Sequence, residues 1–367
     1  MSILDREEPH YFGAGPALLP SDVLKQAALD LITYGGENLG IGEISHRSKP
    51  AIEVIDETKA NIKSLISVPD THEVFFMQGG GTTGFSSIVY NLMANYAKKH
   101  NLKKGKAAYA VTGGWSKKAS EEAQRLGFEV DVVYNGKEKK FGDIEPFSNW
   151  KPIDKENTAY LYVCDNETVH GNEFKTTPDT LKYGVIMAGA QKNLGLAGLT
   201  IYIVKKSLLE QASDEELRQA GIPLCPIAFH YPTVVANNSA YNTIPIFTCQ
   251  ILRLVTDKLI AEGGIDVLEK KNIHKAELLY GALDKHSNLF NLPVTNHQVR
   301  SRMNVVFTLP TEEMTNEFLK GAQERNLTGL KGHRSVGGIR ASIYNAVSLH
   351  SVELLVAYIN DFAEAHQ

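Results

Sequence analysis

Residues 183–200 read YGVIMAGAQKNLGLAGLT. The apolar run Val185–Ala188 stops at Gly189, and Ala190-Gln191-Lys192-Asn193 leads into a glycine-rich turn. A short apolar run bounded by breakers spells a buried strand. Lys192 therefore sits where a strand ends and the backbone becomes permissive. Sequestered there, its amine can hold a carbonyl carbon as a Schiff base, provided burial removes the proton an ordinary lysine keeps to about pH 10. A solvated lysine in a surface turn fits the same spacing. The apolar approach GVIMAGA favours the buried reading, because a surface turn does not need it.

Working outward, the same grammar recurs. Glu73–Met77 is an apolar strand feeding Gln78-Gly79-Gly80-Gly81-Thr82-Thr83-Gly84 and a helix from about Phe85. Lys106–Val111 runs into Thr112-Gly113-Gly114-Trp115-Ser116 and a helix to about Leu126, and Thr158–Val163 ends near Asn166-Glu167-Thr168. Strand, glycine or polar turn, then helix is the pattern of an α/β fold with a mostly parallel sheet covered by helices. Ligands in such folds gather beyond the carboxyl ends of strands, where all these polar clusters fall. Ser21 is expected to cap the first helix. After Pro226 the pattern breaks up, then returns as a smaller α/β unit. The expected division is 16–264 for a large domain and 265–367 for a small one, with 1–15 packed near the latter.

The turn Gly79–Gly84 sets backbone N–H groups and a helix amino terminus where an anion can approach. It matches neither dinucleotide nor P-loop spacing, and a tight turn without a ligand is the bland alternative. Trp115 can cover a flat ring or fill a core. Thr168 can donate to a ring substituent or simply start a turn. His46-Arg47, His333-Arg334 and Arg340 stand in glycine-rich, non-helical settings, and arginines there suit carboxylate or phosphate oxygens. Each alone is as well explained by a surface ion pair.

Composition narrows the partners. The chain has 367 residues, 43% hydrophobic and 22% charged, long enough for two domains. With 38 basic and 42 acidic side chains the net charge is −4, and no basic tail points to nucleic acid. No run reaches membrane-spanning length, and residues 1–10 lack a signal-peptide core. Cys164, Cys225 and Cys249 are far apart, which fits a reducing, cytoplasmic setting. No metal-ligand spacing appears among the histidines, and no GxSxG elbow is present.

Taken together, FGAGPALLP, GIGEISHRS, QGGGTTGFSS, VTGGWS, NETVHG, YGVIMAGAQKN, YNTIP, SRMN and KGHRSVGGIRASIYNA resemble the phosphoserine aminotransferase family, its fungal form most of all. These are class V members of the fold-type I pyridoxal-phosphate transferases. The resemblance implies pyridoxal 5'-phosphate carried on Lys192, which would also shuttle the substrate's α proton. It implies Trp115 against the pyridine ring, Thr168 at its 3'-oxygen, and Gly81, Thr82 and Gln191 at the phosphate. Asn242 and Thr243 would reach the cofactor of a second subunit in a homodimer with shared sites. His46, Arg47, His333, Arg334 and Arg340 would bind anionic substrates, glutamate and 3-phosphohydroxypyruvate, on the way to O-phosphoserine in serine biosynthesis. Cysteine desulfurase and alanine–glyoxylate aminotransferase are the rivals within class V.

Two departures stand out. Thr82 replaces the arginine of the bacterial GGGRG. More seriously, the chain passes from Pro178-Asp179 to Lys182-Tyr183-Gly184, where relatives carry a further strand and a D-x-S-S-like motif. That motif's aspartate pairs with the pyridine nitrogen. Its loss predicts an unpaired sheet edge and impaired electron withdrawal by the cofactor ring, and it raises the alternative of a deletion variant with little or no catalysis. Asp179 and Asp165 are the nearest remaining carboxylates, and neither is a convincing replacement.

Overall fold

Apolar residues of β1 (His72–Gln78) alternate between two buried layers. Val74 and Phe76 join Ile41, Val54, Ile55, Ile201 and Ile203, whereas Phe75 and Met77 join Tyr202, Val204 and Tyr231. A strand buried on both faces needs helices on both, and the chain supplies them. The computed structural model describes residues 5–36, 38–175 and 182–366.

Helices α1 (Ser21–Ile32) and α2 (Lys49–Leu65) precede β1, and α3 (Gly80–Lys99) follows it directly. Then come β2 (Lys106–Val111), α4 (Gly114–Arg125), β3 (Glu129–Asn135), β4 (Thr158–Tyr162) and the short β5 (Asn166–Glu167) and β6 (Asn172–Glu173). The strand before Lys192 is β7 (Val185–Gly189), followed by β8 (Leu199–Lys205), α5 (Asp214–Gln219), α6 (Tyr231–Ala236) and α7 (Ile246–Ala261). The last stretch holds α8 (Gly264–Lys285), β9 (Asn304–Phe307), α9 (Glu312–Glu324), β10 (Ile339–Ser342) and α10 (Leu349–Ala365).

The expected single sheet is in two pieces. β3-β2-β4 is wholly parallel, whereas β1-β8-β7 has its central strand antiparallel to both neighbours. Among the described residues β4 pairs only with β2, and β7 only with β8. Helix α3 packs over both pieces, with Phe85 edge-on to Tyr162 of β4 and Gly84 against Met187 of β7. A Cβ on Gly84 would lie 2.6 Å from the Met187 methyl, so a larger residue there would push the methionine side chain aside.

A separate core forms around the antiparallel pair β9–β10, where Phe290, Phe307, Phe318 and Phe362 pack with Leu279 and Leu355. Phe12 is buried in the same cluster, and its N–H bonds Thr328 O. Ser21 does not cap α1. The helix begins at Ser21 after Pro20, with no side-chain cap, and Ser21 Oγ instead accepts from Arg6 Nε. No described helix is long and apolar enough to cross a membrane.

Candidate active site

The carboxyl ends of β1, β2, β4 and β7 all point to one rim. Beyond β7, the Lys192 amine donates to Thr168 Oγ1 at 3.2 Å, to Ala14 O at 3.4 Å and, more weakly, toward the Tyr344 hydroxyl at 3.5 Å. Burial, reinforced by the Arg340 guanidinium, pushes this lysine down to about 8. At pH 7 roughly a tenth of it is therefore a neutral amine, far more than an ordinary lysine offers.

Thr168 is the meeting point. The indole N–H of Trp115 donates to the Thr168 hydroxyl at 2.9 Å, and Arg340 Nη1 donates to its carbonyl at 3.0 Å. Lys192 Nζ lies 6.0 Å from the Trp115 ring centre and 5.9 Å from that of Tyr344. Thr168 is buried and Trp115 half-buried.

Glu167 fixes this geometry from beneath. Its buried carboxylate accepts from the Trp115 and Ser116 N–H groups, each at 2.8 Å, and from the Ser116 hydroxyl at 2.6 Å. It thus caps the first turn of α4, as an acidic group at a helix amino terminus should. Burial raises its pKa, against the lowering effect of these donors. A Cβ on Gly113 would stand 2.5 Å from the Glu167 carboxyl carbon, which explains the glycine in VTGGWS. His170, next along, accepts from the Gly114 N–H and is pushed down to about 4 by burial and by His333.

The glycine turn lies across β8. Gly80 N–H bonds Thr200 Oγ1 at 2.8 Å, and Thr200 pairs with Met77 of β1 on one side and with Gly189 of β7 on the other. Gly79 (φ 110°) and Gly80 (φ 65°) have conformations only glycine adopts freely. Gly81 differs: its backbone is ordinary, and an added Cβ would meet only Phe85 at 3.6 Å. Neither backbone nor packing demands glycine there, so a bare, half-buried N–H at the start of α3 is its remaining distinction. Thr82 is exposed beside it. Gln191 stands at the opposite lip, half-buried, its carbonyl accepting from Ala17 N.

A second group gathers at the same rim. Gln78 Nε2 donates to Thr243 O at 2.7 Å, and Arg47 reaches Tyr241 O at 3.4 Å. Asn242 and Thr243 are exposed, so within one chain they face outward. His46 has its Nε2 buried without a partner among the described residues, a polar atom left for a ligand to satisfy. Arg334 is exposed on the loop 331–338, and His333 Nδ1 contacts the Ser335 hydroxyl.

The structure brings Lys192, Trp115, Thr168 and Arg340 into direct contact or close approach. It places Gln191 directly before Lys192, Gly81 and Thr82 across β8, and His46, Arg47, Asn242 and Thr243 along the outer rim. Asp179 lies outside the described residues. Asp165 takes Glu173 and Arg302 as its charged neighbours rather than Lys192. Burial pushes Cys225 and Cys249 up to about 12 and Cys164 well above its usual range, so none is a poised nucleophile. Among the described residues no cluster suits a metal ion.

Sequence reading alone passed over Tyr344, Glu167 as an anchor, and Lys275. The Tyr344 hydroxyl donates to Ala14 O at 3.1 Å and accepts from Asn304 Nδ2 at 3.0 Å. Lys275 is buried, with its ammonium among the carbonyls of Ile343, Tyr344 and Val347. It braces the backbone that carries Tyr344. Tyr344 had a sequence signal in its place within SIYNA, and Glu167 in its place within NETVHG.

The pattern of the Aminotransferase class-V family matches residues 10–183 and 174–355. Phosphoserine aminotransferase of Saccharomyces cerevisiae is 52% identical over 392 aligned positions, covering 98% of this chain and 99% of that protein. The chain belongs to the phosphoserine aminotransferase family, among the class-V aminotransferases. The Bacillus thuringiensis subsp. konkukian enzyme is 40% identical, covering 97% of this chain and 98% of its own. Phosphoserine aminotransferase from Bacillus circulans subsp. alkalophilus superposes with a TM-score of 0.89 at 33% identity, over 99% of this chain and 100% of that one. The pyridoxal-phosphate-bound enzyme from Trichomonas vaginalis gives 0.86 at 32%, over 96% and 99%. These likenesses establish a fold-type I α/β architecture. An alanine–glyoxylate aminotransferase from Nostoc, at 14% identity and 0.74, shares the fold alone.

Proposed function

We propose that this protein is a pyridoxal-phosphate-dependent phosphoserine aminotransferase. It would move the amino group of L-glutamate to 3-phosphohydroxypyruvate, giving O-phospho-L-serine and 2-oxoglutarate in serine biosynthesis. The observation that carries the reading is Lys192, half-buried, lowered to about 8 and hydrogen-bonded to Thr168 beneath Trp115.

The residues present fit most of the cofactor. Lys192 suits its aldehyde, Trp115 a ring face, Thr168 a ring hydroxyl, and Gly81, Thr82 and Gln191 an anionic phosphate at the start of α3. When bound, the cofactor supplies an electron sink for the substrate's α carbon. The chain's part is to hold and move protons. Lys192 as a neutral amine can take the substrate's α proton and hold it at Nζ for return. Arg340, anchored on the Thr168 carbonyl, presents its remaining N–H groups to a carboxylate. Arg47, His46, His333 and Arg334 are the further anion contacts in this reading. Asn242 and Thr243 would serve the neighbouring subunit's site in a homodimer. The division at 264/265 into a cofactor-binding unit and a smaller unit is part of the same reading, as is a cytoplasmic setting.

A second reading is favoured by one observation. The alignment with the yeast relative spans 392 positions, more than the 367 residues of this chain, so part of that protein has no counterpart here. The family matches meet at residues 174–183, between β6 and β7. No described carboxylate beside Lys192 is free to face a pyridine nitrogen, since Glu167 is committed to α4. In that reading the cofactor is held and turnover is weak.

The deciding experiment loads the protein with pyridoxal phosphate, then adds glutamate and 3-phosphohydroxypyruvate. Formation of O-phosphoserine supports the first reading. Cofactor trapped on Lys192 by borohydride without product supports the second. A folded protein that traps no cofactor overturns both.

A further inference from the structure

Tyr344 is almost wholly buried, and its hydroxyl is fully engaged. It donates its single proton to Ala14 O at 3.1 Å and accepts from Asn304 Nδ2 at 3.0 Å. A phenol has one donor and two lone pairs. What remains can only accept, and the Lys192 amine stands 3.5 Å from it. Asn304 is itself fixed: its Nδ2 also donates to Ser342 Oγ at 2.9 Å, and its Oδ1 accepts from Asn166 Nδ2 at 2.9 Å. The phenol therefore cannot turn its proton toward the lysine without abandoning Ala14. Burial raises its pKa, so it keeps that proton at neutral pH.

The Ala14 carbonyl is held from both ends of its segment. Upstream, Phe12 N–H bonds Thr328 O at 2.8 Å and Ser342 N–H bonds Phe12 O at 3.0 Å, which ties the segment to the core around β9 and β10. Downstream, Ala17 N–H bonds the carbonyl of Gln191, the residue before Lys192, at 2.9 Å. Between these anchors Gly15 has φ 115°, and a Cβ on it would lie 3.5 Å from Lys192 Cγ, so the lysine stem runs against this backbone. Three oxygens thus converge on one amine: Thr168 Oγ1 at 3.2 Å, Ala14 O at 3.4 Å and the Tyr344 hydroxyl at 3.5 Å. An ammonium has three N–H donors and no acceptor, and three acceptors match it.

We propose that Tyr344 is a positioning residue for Lys192. It pins Ala14 O and lends its own oxygen, and with Thr168 these complete a cradle that holds the free amine before a carbonyl compound reaches it. Hydrogen bonds to a charged form favour that form, so the cradle works against burial. Among the described residues the charged groups facing Lys192 are Arg340 of β10, which opposes its charge, and Glu167 of β5, which supports it; the Cys164 thiol after β4 stands alongside. Tyr344 adds an uncharged contribution from a third direction, at the carboxyl side of β10. This role rests on the aminotransferase reading only in that Lys192 is the reactive amine.

The test is competitive acetylation of the full chain without cofactor, over a pH range of about 6 to 10, with the label on Lys192 read by peptide mass spectrometry. In the native protein labelling should rise about a midpoint near 8. Tyr344→Phe deletes one oxygen and keeps the ring, so the variant should fold with its unfolding midpoint lowered by at most about 4 °C. It takes one acceptor from Lys192 and frees Ala14 O. The expected result is a labelling midpoint lower by at least about half a pH unit, which makes labelling at pH 7 about threefold faster. A merely structural loss would admit water and move the midpoint up, toward the value of an ordinary lysine. An unmoved or raised midpoint overturns the proposal. Tyr358→Phe is the control: it deletes a buried hydroxyl that donates to Phe318 O at 2.8 Å in the core of α9 and α10. It should leave the Lys192 midpoint in place, and an equal fall there also overturns the proposal. No cofactor or substrate takes part, so failure here leaves the aminotransferase reading standing, and a protein that makes no O-phosphoserine can still pass.

Discussion

Glu167→Gln removes an anchor that touches neither substrate nor Lys192. In the native protein one carboxylate oxygen accepts from the Trp115 N–H and the other from the Ser116 N–H and hydroxyl. Glutamine has one carbonyl oxygen. Turned to keep the Ser116 pair, it sets its NH2 group against the Trp115 N–H. A buried donor left without an acceptor costs about 1–3 kcal/mol, and loss of charge at the other two contacts weakens them by roughly another 1 kcal/mol. Relief of burying a charge returns part of this. The net expectation is a loss of about 1–3 kcal/mol, or, for a chain of 367 residues, a fall in unfolding midpoint of roughly 1–4 °C. The first turn of α4 should loosen, carrying Trp115 off the Thr168 hydroxyl. Thermal unfolding reads the first effect, and the Trp115 fluorescence of a Trp150→Phe background reads the second. Glu167→Ala, which strands all three donors, should cost more, about 3–5 kcal/mol. A Glu167→Gln protein with an unchanged midpoint and unchanged tryptophan emission would refute the argument that this carboxylate holds the ring in place.

Further predictions concern cations. Lys275→Met leaves the carbonyls of Ile343, Tyr344 and Val347 without their donor; a drop of roughly 3 kcal/mol or more is expected, measured by denaturant unfolding. Lys192 is held below its ordinary value, so its charge opposes folding: the penalty is complete below about pH 8 and is relieved as pH rises from there toward 10.5. Its trapping by pyridoxal phosphate and borohydride should rise with pH about a midpoint near 8, and a pH-independent yield would contradict it. Arg340→Met removes the neighbouring positive charge. It should move that profile upward in pH and raise the KM for glutamate about tenfold or more, whereas a change in neither would remove Arg340 from the site.

Much was legible in the sequence because local rules sufficed. Apolar runs stopping at glycine clusters located β1, β2, β4 and β7, since a buried strand and its exit turn have opposite composition. Lys192, Trp115 and Thr168 follow such strands, and parallel packing brings strand ends together whatever the loops do. Other features had no local signal. Ser21 has the chemistry of a cap, yet Arg6, 15 residues away, takes its hydroxyl. Gly113 reads as a flexible turn, but its reason is the Glu167 carboxyl pressed against its α carbon.

The sequence by itself determined the family and the strand-to-turn positions of the reactive side chains. Each is written in contiguous residues. The tertiary structure alone decided that Glu167 pins Trp115 and that Arg340 and burial together lower Lys192. Those outcomes depend on which distant groups share a small volume. Desolvation, charge repulsion and strand pairing act between neighbours in space, and residues such as Arg340 and Lys192 become neighbours only when the chain folds.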